Sequence, residues 1–188
     1  MTATSVSRRE EIVIAARGLL EEEGPGALTM RRLAERLGIR APSLYKHFRD
    51  KHDLEVALAA LALEEVGAEL SASRDLRELA SRYRRWALGH PHMYRLATER
   101  PLPRDELPEG VEARAAAPIL EVTEDPDRAR AAWAFAHGMV ELELAGRFPA
   151  GADLDAAWAA GVDAFESPAG APTLAPPRIA IYTSFRLD

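Results

Sequence analysis

Apolar residues recur along this chain at spacings of three and four, the period of an amphipathic helix, and no convincing two-residue alternation appears before the final stretch. The pattern predicts an all-α fold. Ser7 followed by Glu10 forms a capping box ahead of Ile12, Ala16, Leu19 and Leu20, which share one face. That helix should end near Glu23, because Gly24-Pro25-Gly26 cannot continue it. Thr29 can cap a second, very short helix with Leu33, Ala34 and Leu37 inside, and Gly38 supplies the positive φ at its exit. Pro42 suits the first turn of a third helix, on which Leu44 and Phe48 form an i, i+4 apolar pair. Asp50 can cap a fourth, carrying Leu54, Ala57, Leu58 and Leu61. Further helices are expected over 75–89, 92–98, 108–121, 126–147 and 153–166. From 167 the chain is rich in Pro, Ala and Gly, which predicts a flexible tail over 167–188, with Ile179, Ile181 and Tyr182 suited to docking or to a short strand.

Composition narrows the picture. With 47% hydrophobic and 29% charged residues, the chain reads as folded and water-soluble rather than disordered. It has no cysteine, which removes disulfides, thiolate metal sites and cysteine nucleophiles. A polar, charged start and the lack of an apolar run of roughly 20 residues argue against secretion and membrane insertion, so a cytoplasmic location is expected. The net charge of -6 would seem to disfavour a polyanionic partner. Counted by region it does not: residues 1–51 hold 10 basic and 7 acidic residues, while the remainder holds 14 basic and 23 acidic. A basic front on an acidic body suits a nucleic-acid reader.

The front helices supply the geometry for that reading. Two short helices separated by a glycine turn, preceded by one helix and followed by a longer one, display the third helix outward, and an α-helix fits the major groove of DNA while its predecessor crosses the backbone. With Leu44 and Phe48 inward, Arg40, Ala41, Ser43, Lys46 and His47 face DNA. Lys46 and His47 can donate to base edges or phosphates, Ser43 can do either, Ala41 offers apolar contact to a thymine methyl, and Tyr45 can reach a phosphate. Thr29, Arg31 and Lys51 flank the reader near helix starts, where backbone amides and positive charge favour phosphate.

The ungapped string from Thr29 to Lys51, with Thr29, Leu33, Ala34, Leu37, Gly38, Pro42-Ser43-Leu44-Tyr45, His47, Phe48 and Lys51 in register, closely resembles the reader of the tetracycline-repressor (TetR) family. The resemblance covers about residues 7–60. It implies a homodimer whose two readers, including Pro42, engage half-sites of a near-palindromic DNA operator, usually to repress transcription. It also implies a reader domain over 1–51 and, over 52–166, a helical domain for effector binding and dimerisation. A ligand that favours a mismatched reader spacing would release DNA. Ala132-Trp-Ala-Phe-Ala-His-Gly-Met139, with His90-Pro-His-Met-Tyr94 upstream, resembles a TetR subgroup carrying a Trp…His-Gly signature.

Other candidates lie in the second half. Tyr83, Trp86, Met93, Tyr94, Phe135, His137 and Met139 are suited to line a pocket for an at least partly apolar small-molecule effector, although core packing explains each equally well. Trp133, His137, Val140 and Leu144 share one helix face, and Trp158, Gly161, Val162 and Phe165 another, so the two stripes either pair across a two-fold axis or fill the monomer core. The histidines show no helical His-x3-His pair, and Pro91 breaks the chain between His90 and His92, so no metal is expected; His137 reads as a hydrogen-bonded core or pocket residue. The acidic run Glu21-Glu22-Glu23 reads as a solvated helix end. No nucleophile elbow or phosphate-binding glycine loop is present, and no cofactor or catalytic residue is expected. The competing reading is an all-α small-molecule-binding or enzymatic protein whose front helices only look like a reader.

Overall fold

Side-chain caps start most of the helices, as their sequence signals require. Ser7 Oγ accepts the Glu10 N–H at 3.2 Å and the Glu10 carboxylate accepts the Ser7 N–H at 2.6 Å, opening α1 (Arg8–Glu23). Thr29 opens α2 (Met30–Arg36), Asp50 opens α4 (Lys51–Leu70), Asp75 opens α5 (Leu76–Gly89) and Asp125 opens α8 (Pro126–Leu144), each oxygen accepting a first-turn N–H. Between them lie α3 (Ala41–Leu44), α6 (Pro91–Thr98) and α7 (Val111–Thr123), and α9 (Leu154–Glu166) follows. The computed structural model describes residues 7–166, and no strand occurs among the described residues. The expected tail, 167–188, lies outside the described residues.

Helix α4 is the spine, with α1, α5, α6 and α7 packed around it. Small residues set the spacing to α7. A methyl group at Gly67 would come within 3.1 Å of the Ala115 Cα, so only glycine lets the two backbones approach this closely. One contiguous apolar cluster then runs from Ile12, Leu19 and Phe48 at the front to Val140, Trp158 and Val162 at the back. A partly buried charge network braces the rear: Arg84 donates to Glu143 at 2.8 Å and to the exposed Asp155 at 2.5 Å, and the Trp158 indole N–H donates to Glu143 at 2.6 Å.

Three boundaries differ from the sequence expectation. The third helix is regular only over Ala41–Leu44, although the Phe48 N–H still reaches the Leu44 carbonyl at 3.0 Å, so the predicted i, i+4 pairing holds through a turn. Helix α7 starts at Val111 because Gly110, at φ 74°, turns the chain just before it. Helix α8 stops at Leu144 rather than 147, since Gly146 takes φ 62° and the Arg147 N–H folds back to the Leu142 carbonyl.

Candidate nucleic-acid interface and internal cavity

The turn between α2 and α3 is a Schellman close. Gly38 sits at φ 64°, its N–H donates to the Glu35 carbonyl at 3.1 Å, and the Ile39 N–H donates to the Ala34 carbonyl at 3.0 Å. Arg40 is extended and Pro42 falls in the first turn of α3, fixing the angle at which that helix leaves. Leu44 and Phe48 are fully buried beneath it. Arg9 lies over the Phe48 ring at 4.2 Å and pairs with Asp53, tying α1 to α4 under the reader.

Of the residues expected to face DNA, Thr29, Arg31, Arg40, Pro42, Tyr45, Lys46 and Lys51 are exposed, and Ala41, Ser43 and His47 are half-buried. The Thr29 hydroxyl oxygen already accepts the Arg32 N–H at 3.1 Å. Arg31 and Lys51 each hold an i, i+4 carboxylate, the exposed Glu35 at 3.0 Å and the half-buried Glu55 at 3.3 Å, pairs of the kind that contribute little at a surface. Among the described residues, Arg40 and Lys46 have no carboxylate partner.

The acidic end of α1 is exposed at Glu22 and Glu23, as a solvated run would be, but its carboxylates are paired. Glu22 takes Arg36 in a two-bond fork at 2.8 and 2.7 Å, and Glu23 takes Arg32 at 3.0 and 2.9 Å. The Arg36 guanidinium holds the Glu22 carboxyl below the ordinary carboxylate range. Glu21 turns the other way and caps α6, accepting the Met93 N–H at 2.7 Å and the His92 N–H at 3.4 Å. A contact between α1 and a helix 70 residues away leaves no trace in local periodicity.

Behind the reader, α4 through α9 line a cavity of about 730 Å³ that is open on one side. Tyr83, Trp86, Tyr94, Phe135 and His137 line it. Met93 and Met139 do not: Met93 is fully buried in the core, and Met139 packs half-buried against it. Trp133, Val162 and Phe165, expected at a dimer face, also line the cavity, Trp133 with half its surface exposed. The Tyr94 hydroxyl lies 2.5 Å from His137 Nδ1 and accepts from the Tyr83 hydroxyl at 3.5 Å. Burial pushes both tyrosine pKa values up, so the two phenols are neutral. Trp133 stacks on His137 with ring centres 5.7 Å apart.

The remaining residues expected at the dimer face are placed differently from their stripes. Val140, Trp158 and Val162 are at most 5% exposed within the single chain, so their side chains are sealed by their own fold; Leu144 is half-buried. Helix α8 turns Ala131, Trp133, Ala134 and Leu142 outward, and α9 turns out Ala156, Ala157, Ala160 and Ala164.

A second bridge joins front to back. Glu106, in a short 3-10 turn between α6 and α7, accepts from His52 at 2.8 Å and from Arg49 at 3.4 Å, and Arg104 in the same turn forks onto Glu112 at the cavity rim. The Glu106 carboxylate raises the His52 pKa above its ordinary value.

Among the described residues, then, an outward-facing helix-turn-helix is joined to an all-α body with an internal cavity, which is the architecture of a DNA-binding transcription regulator. Residues 12–58 match the model of bacterial regulatory proteins of the tetR family, and residues 76–165 match a tetracyclin repressor-like C-terminal domain. A Mycobacterium tuberculosis HTH-type transcriptional regulator is 35% identical over 155 residues, 73% of this chain and 71% of its own length. The class A tetracycline repressor of Escherichia coli is 52% identical over 54 residues, 29% of this chain and 25% of its own. Among solved structures, a TetR variant from Acinetobacter baumannii AYE in complex with minocycline superposes with a TM-score of 0.61 at 28% identity, covering 86% of this chain and 94% of that one. The protein belongs to the tetR family of bacterial transcription regulators.

Proposed function

We propose that the protein is a cytoplasmic, homodimeric repressor that reads a near-palindromic operator with residues 1–51 and releases it when a small molecule occupies the body formed by residues 52–166. It acts by binding and not by catalysis. The observation that carries the reading is the sorting of charge on the front helices. Arg32 and Arg36 are forked onto Glu23 and Glu22, while Arg40, just before α3, and Lys46, beside Tyr45 in the turn just after it, are exposed and have no carboxylate partner among the described residues. Positive groups left without carboxylates at the two ends of an exposed short helix suit phosphate and base edges. Thr29, Arg31, Ala41, Pro42, Ser43, His47 and Lys51 complete the contact set.

For the dimer, the outward alanine faces of α8 and α9 replace the inward Val140, Trp158 and Val162, because small side chains let helices of a second copy approach closely. The effector role rests on the 730 Å³ cavity and on the likeness to a TetR structure crystallised with minocycline. The Trp133–His137 stack, followed by Gly138, supports placing the C-terminal half in the Trp…His-Gly subgroup.

The test is fluorescence anisotropy with DNA from upstream of the protein's own gene across a salt series. Log affinity should fall linearly with log salt, since each neutralised phosphate releases counterions, and Lys46→Ala should weaken binding by about 1–2 kcal/mol and flatten the slope by about 1. Salt-independent binding, or a Lys46→Ala affinity equal to wild type, refutes the assignment.

A further inference from the structure

One carboxylate is shared between the reader and the cavity. Glu55, half-buried in the second turn of α4, holds the Lys51 ammonium on Oε1 at 3.3 Å and the Arg100 guanidinium on Oε2 at 3.6 Å. Lys51 is in the set proposed to meet DNA, where its charge suits phosphate, and Arg100 lines the cavity. One negative charge answers only one of two cations, so Arg100 competes with Lys51 for Glu55. Whatever draws Arg100 away leaves Glu55 to Lys51, and a lysine held by a carboxylate has less to offer a phosphate.

The other charges at the cavity are matched one to one. Among the described residues, its charged lining is Arg100, Arg104, Glu112 and Arg130. Arg104 forks onto Glu112 at 2.8 and 2.9 Å, and Arg130 pairs with Asp127 at 2.5 Å. Each of the four lining groups keeps at least 44% of its side chain exposed, so the charge sits at the open side, while the interior is apolar, with Val66, Leu79, Ile119 and Ala132 among its walls. Arg100 is the loosest of them: 80% of its side chain is exposed and its ion pair is the longest, so leaving Glu55 costs it little. A cationic group, by contrast, reaches Glu112 only by prising Arg104 out of a fork. A volume of 730 Å³ lies inside the roughly 300–1,000 Å³ of pockets for drug-sized molecules.

Resting on the effector reading above, we propose that the cavity takes a molecule with an apolar body and one anionic group, that this group draws Arg100 off Glu55, and that Glu55, left to Lys51 alone, holds that lysine back from DNA. Three probes with one chain and different ends separate the possibilities: decanoate, 1-decanol and decyltrimethylammonium, each kept below the concentration at which it forms micelles. Binding to the full chain is read from tryptophan fluorescence, since Trp86 and Trp133 line the cavity. Decanoate should bind about threefold more tightly than decanol, the worth of one exposed ion pair. Arg100→Gln, a change at an exposed side chain, should bring decanoate to the affinity of decanol and leave decanol unchanged. With the cavity saturated, decanoate should weaken binding to DNA from upstream of the protein's own gene about threefold more than decanol does. Glu55→Gln should bind decanoate at least as tightly as wild type and lose that difference on DNA. Equal affinities for acid and alcohol, or tightest binding of the ammonium, overturns the anionic chemistry while leaving the cavity a ligand site. A difference on DNA that survives in Glu55→Gln overturns the shared carboxylate, because decanoate then acts on DNA without it. Binding of the probes without any binding of DNA overturns the repressor reading and the Lys51 step with it, and binding of none of the three probes overturns the chemistry and the effector reading together.

Discussion

Replacing Glu21 by alanine tests how the reader is fastened to the body. Helix α6 begins with Pro91, which has no N–H to satisfy, and its preceding residue, His90, offers no side-chain cap. The Tyr94 N–H closes the first helical bond, onto the His90 carbonyl at 2.9 Å. That leaves the His92 and Met93 N–H groups, and the Glu21 carboxylate takes both. Loss of a helix cap costs about 1 kcal/mol, and loss of a negative charge from the positive end of a helix about 0.3–1 kcal/mol more. Because the Glu21 contact is half-buried, both costs apply nearly in full, and Glu21→Ala should lose about 2 kcal/mol. Glu21→Gln keeps an acceptor and gives up only the charge, so it should lose about 0.5 kcal/mol. Urea unfolding followed by circular dichroism at fixed protein concentration reads both differences, and for a chain of this size the alanine variant should melt roughly 4–8 °C lower. An alanine variant within about 0.5 kcal/mol of wild type would show that Glu21 does not cap α6, and a glutamine variant as damaged as the alanine one would refute the split between acceptor and charge by placing the whole effect on the charge.

Other outcomes follow from contacts elsewhere. A methyl group at Gly161 would run into the Phe135 ring, so Gly161→Ala should destabilise by about 1–3 kcal/mol in thermal melts; an unchanged melting temperature would mean that α8 and α9 do not cross this closely. Because Glu106 raises the His52 pKa, their contact stabilises the fold fully below the ordinary value of 6.5, and that contribution fades as pH rises through the elevated value. Glu106→Gln should therefore lower the His52 pKa in an NMR titration and remove that component of the pH dependence; an unmoved titration curve would refute the pairing. Ala160→Glu, on the outward face of α9, should favour monomers by light scattering without lowering monomer stability, and an unchanged mass would place the dimer surface elsewhere.

The front of the molecule was legible because its signals are local. Ser7, Thr29, Asp50 and Asp125 cap helices through atoms two or three residues away, and Gly38 needs only its own φ. The inward pair Leu44 and Phe48 followed from helical spacing, and with it the outward set on α3. The rear was harder for a physical reason. Helices α8 and α9 are rich in alanine, which is nearly indifferent to burial, so their large side chains mark a stripe without saying whether it faces a neighbour in the same chain or in a second one. Trp133 and Val140 both lie near that stripe on α8, yet one is 50% exposed and the other fully buried. Lining a cavity and filling a core likewise demand the same residue types, which is why Met93 and Tyr94, adjacent in sequence, part company. The carboxylates of Glu21, Glu22 and Glu23 are the clearest case, since three identical side chains find partners on two different elements and no periodicity distinguishes them.

Helix α4 makes communication between cavity and reader a matter of geometry. Ala62, Leu63, Val66 and Leu70 line the cavity, while the start of the same helix, capped by Asp50, follows directly on the reading helix. The helix between Asp50 and Ala62 is unbroken, and at about 1.5 Å per residue it is a lever of roughly 18 Å. A tilt of about 3° at the cavity end therefore carries the reader by about 1 Å. Two further ties prevent the reader from ignoring such a tilt: Glu21 binds α1 to α6, and Glu106 binds His52 and Arg49 to the turn before α7. Since α6 and α7 also line the cavity, a molecule that spreads α4 from α7 must either tilt the reader or break these contacts. The size of its effect on DNA is limited by how much better it fits the spread form than the closed one. A molecule that fits both equally will bind and change nothing, so affinity for the cavity and power to release DNA are separate properties.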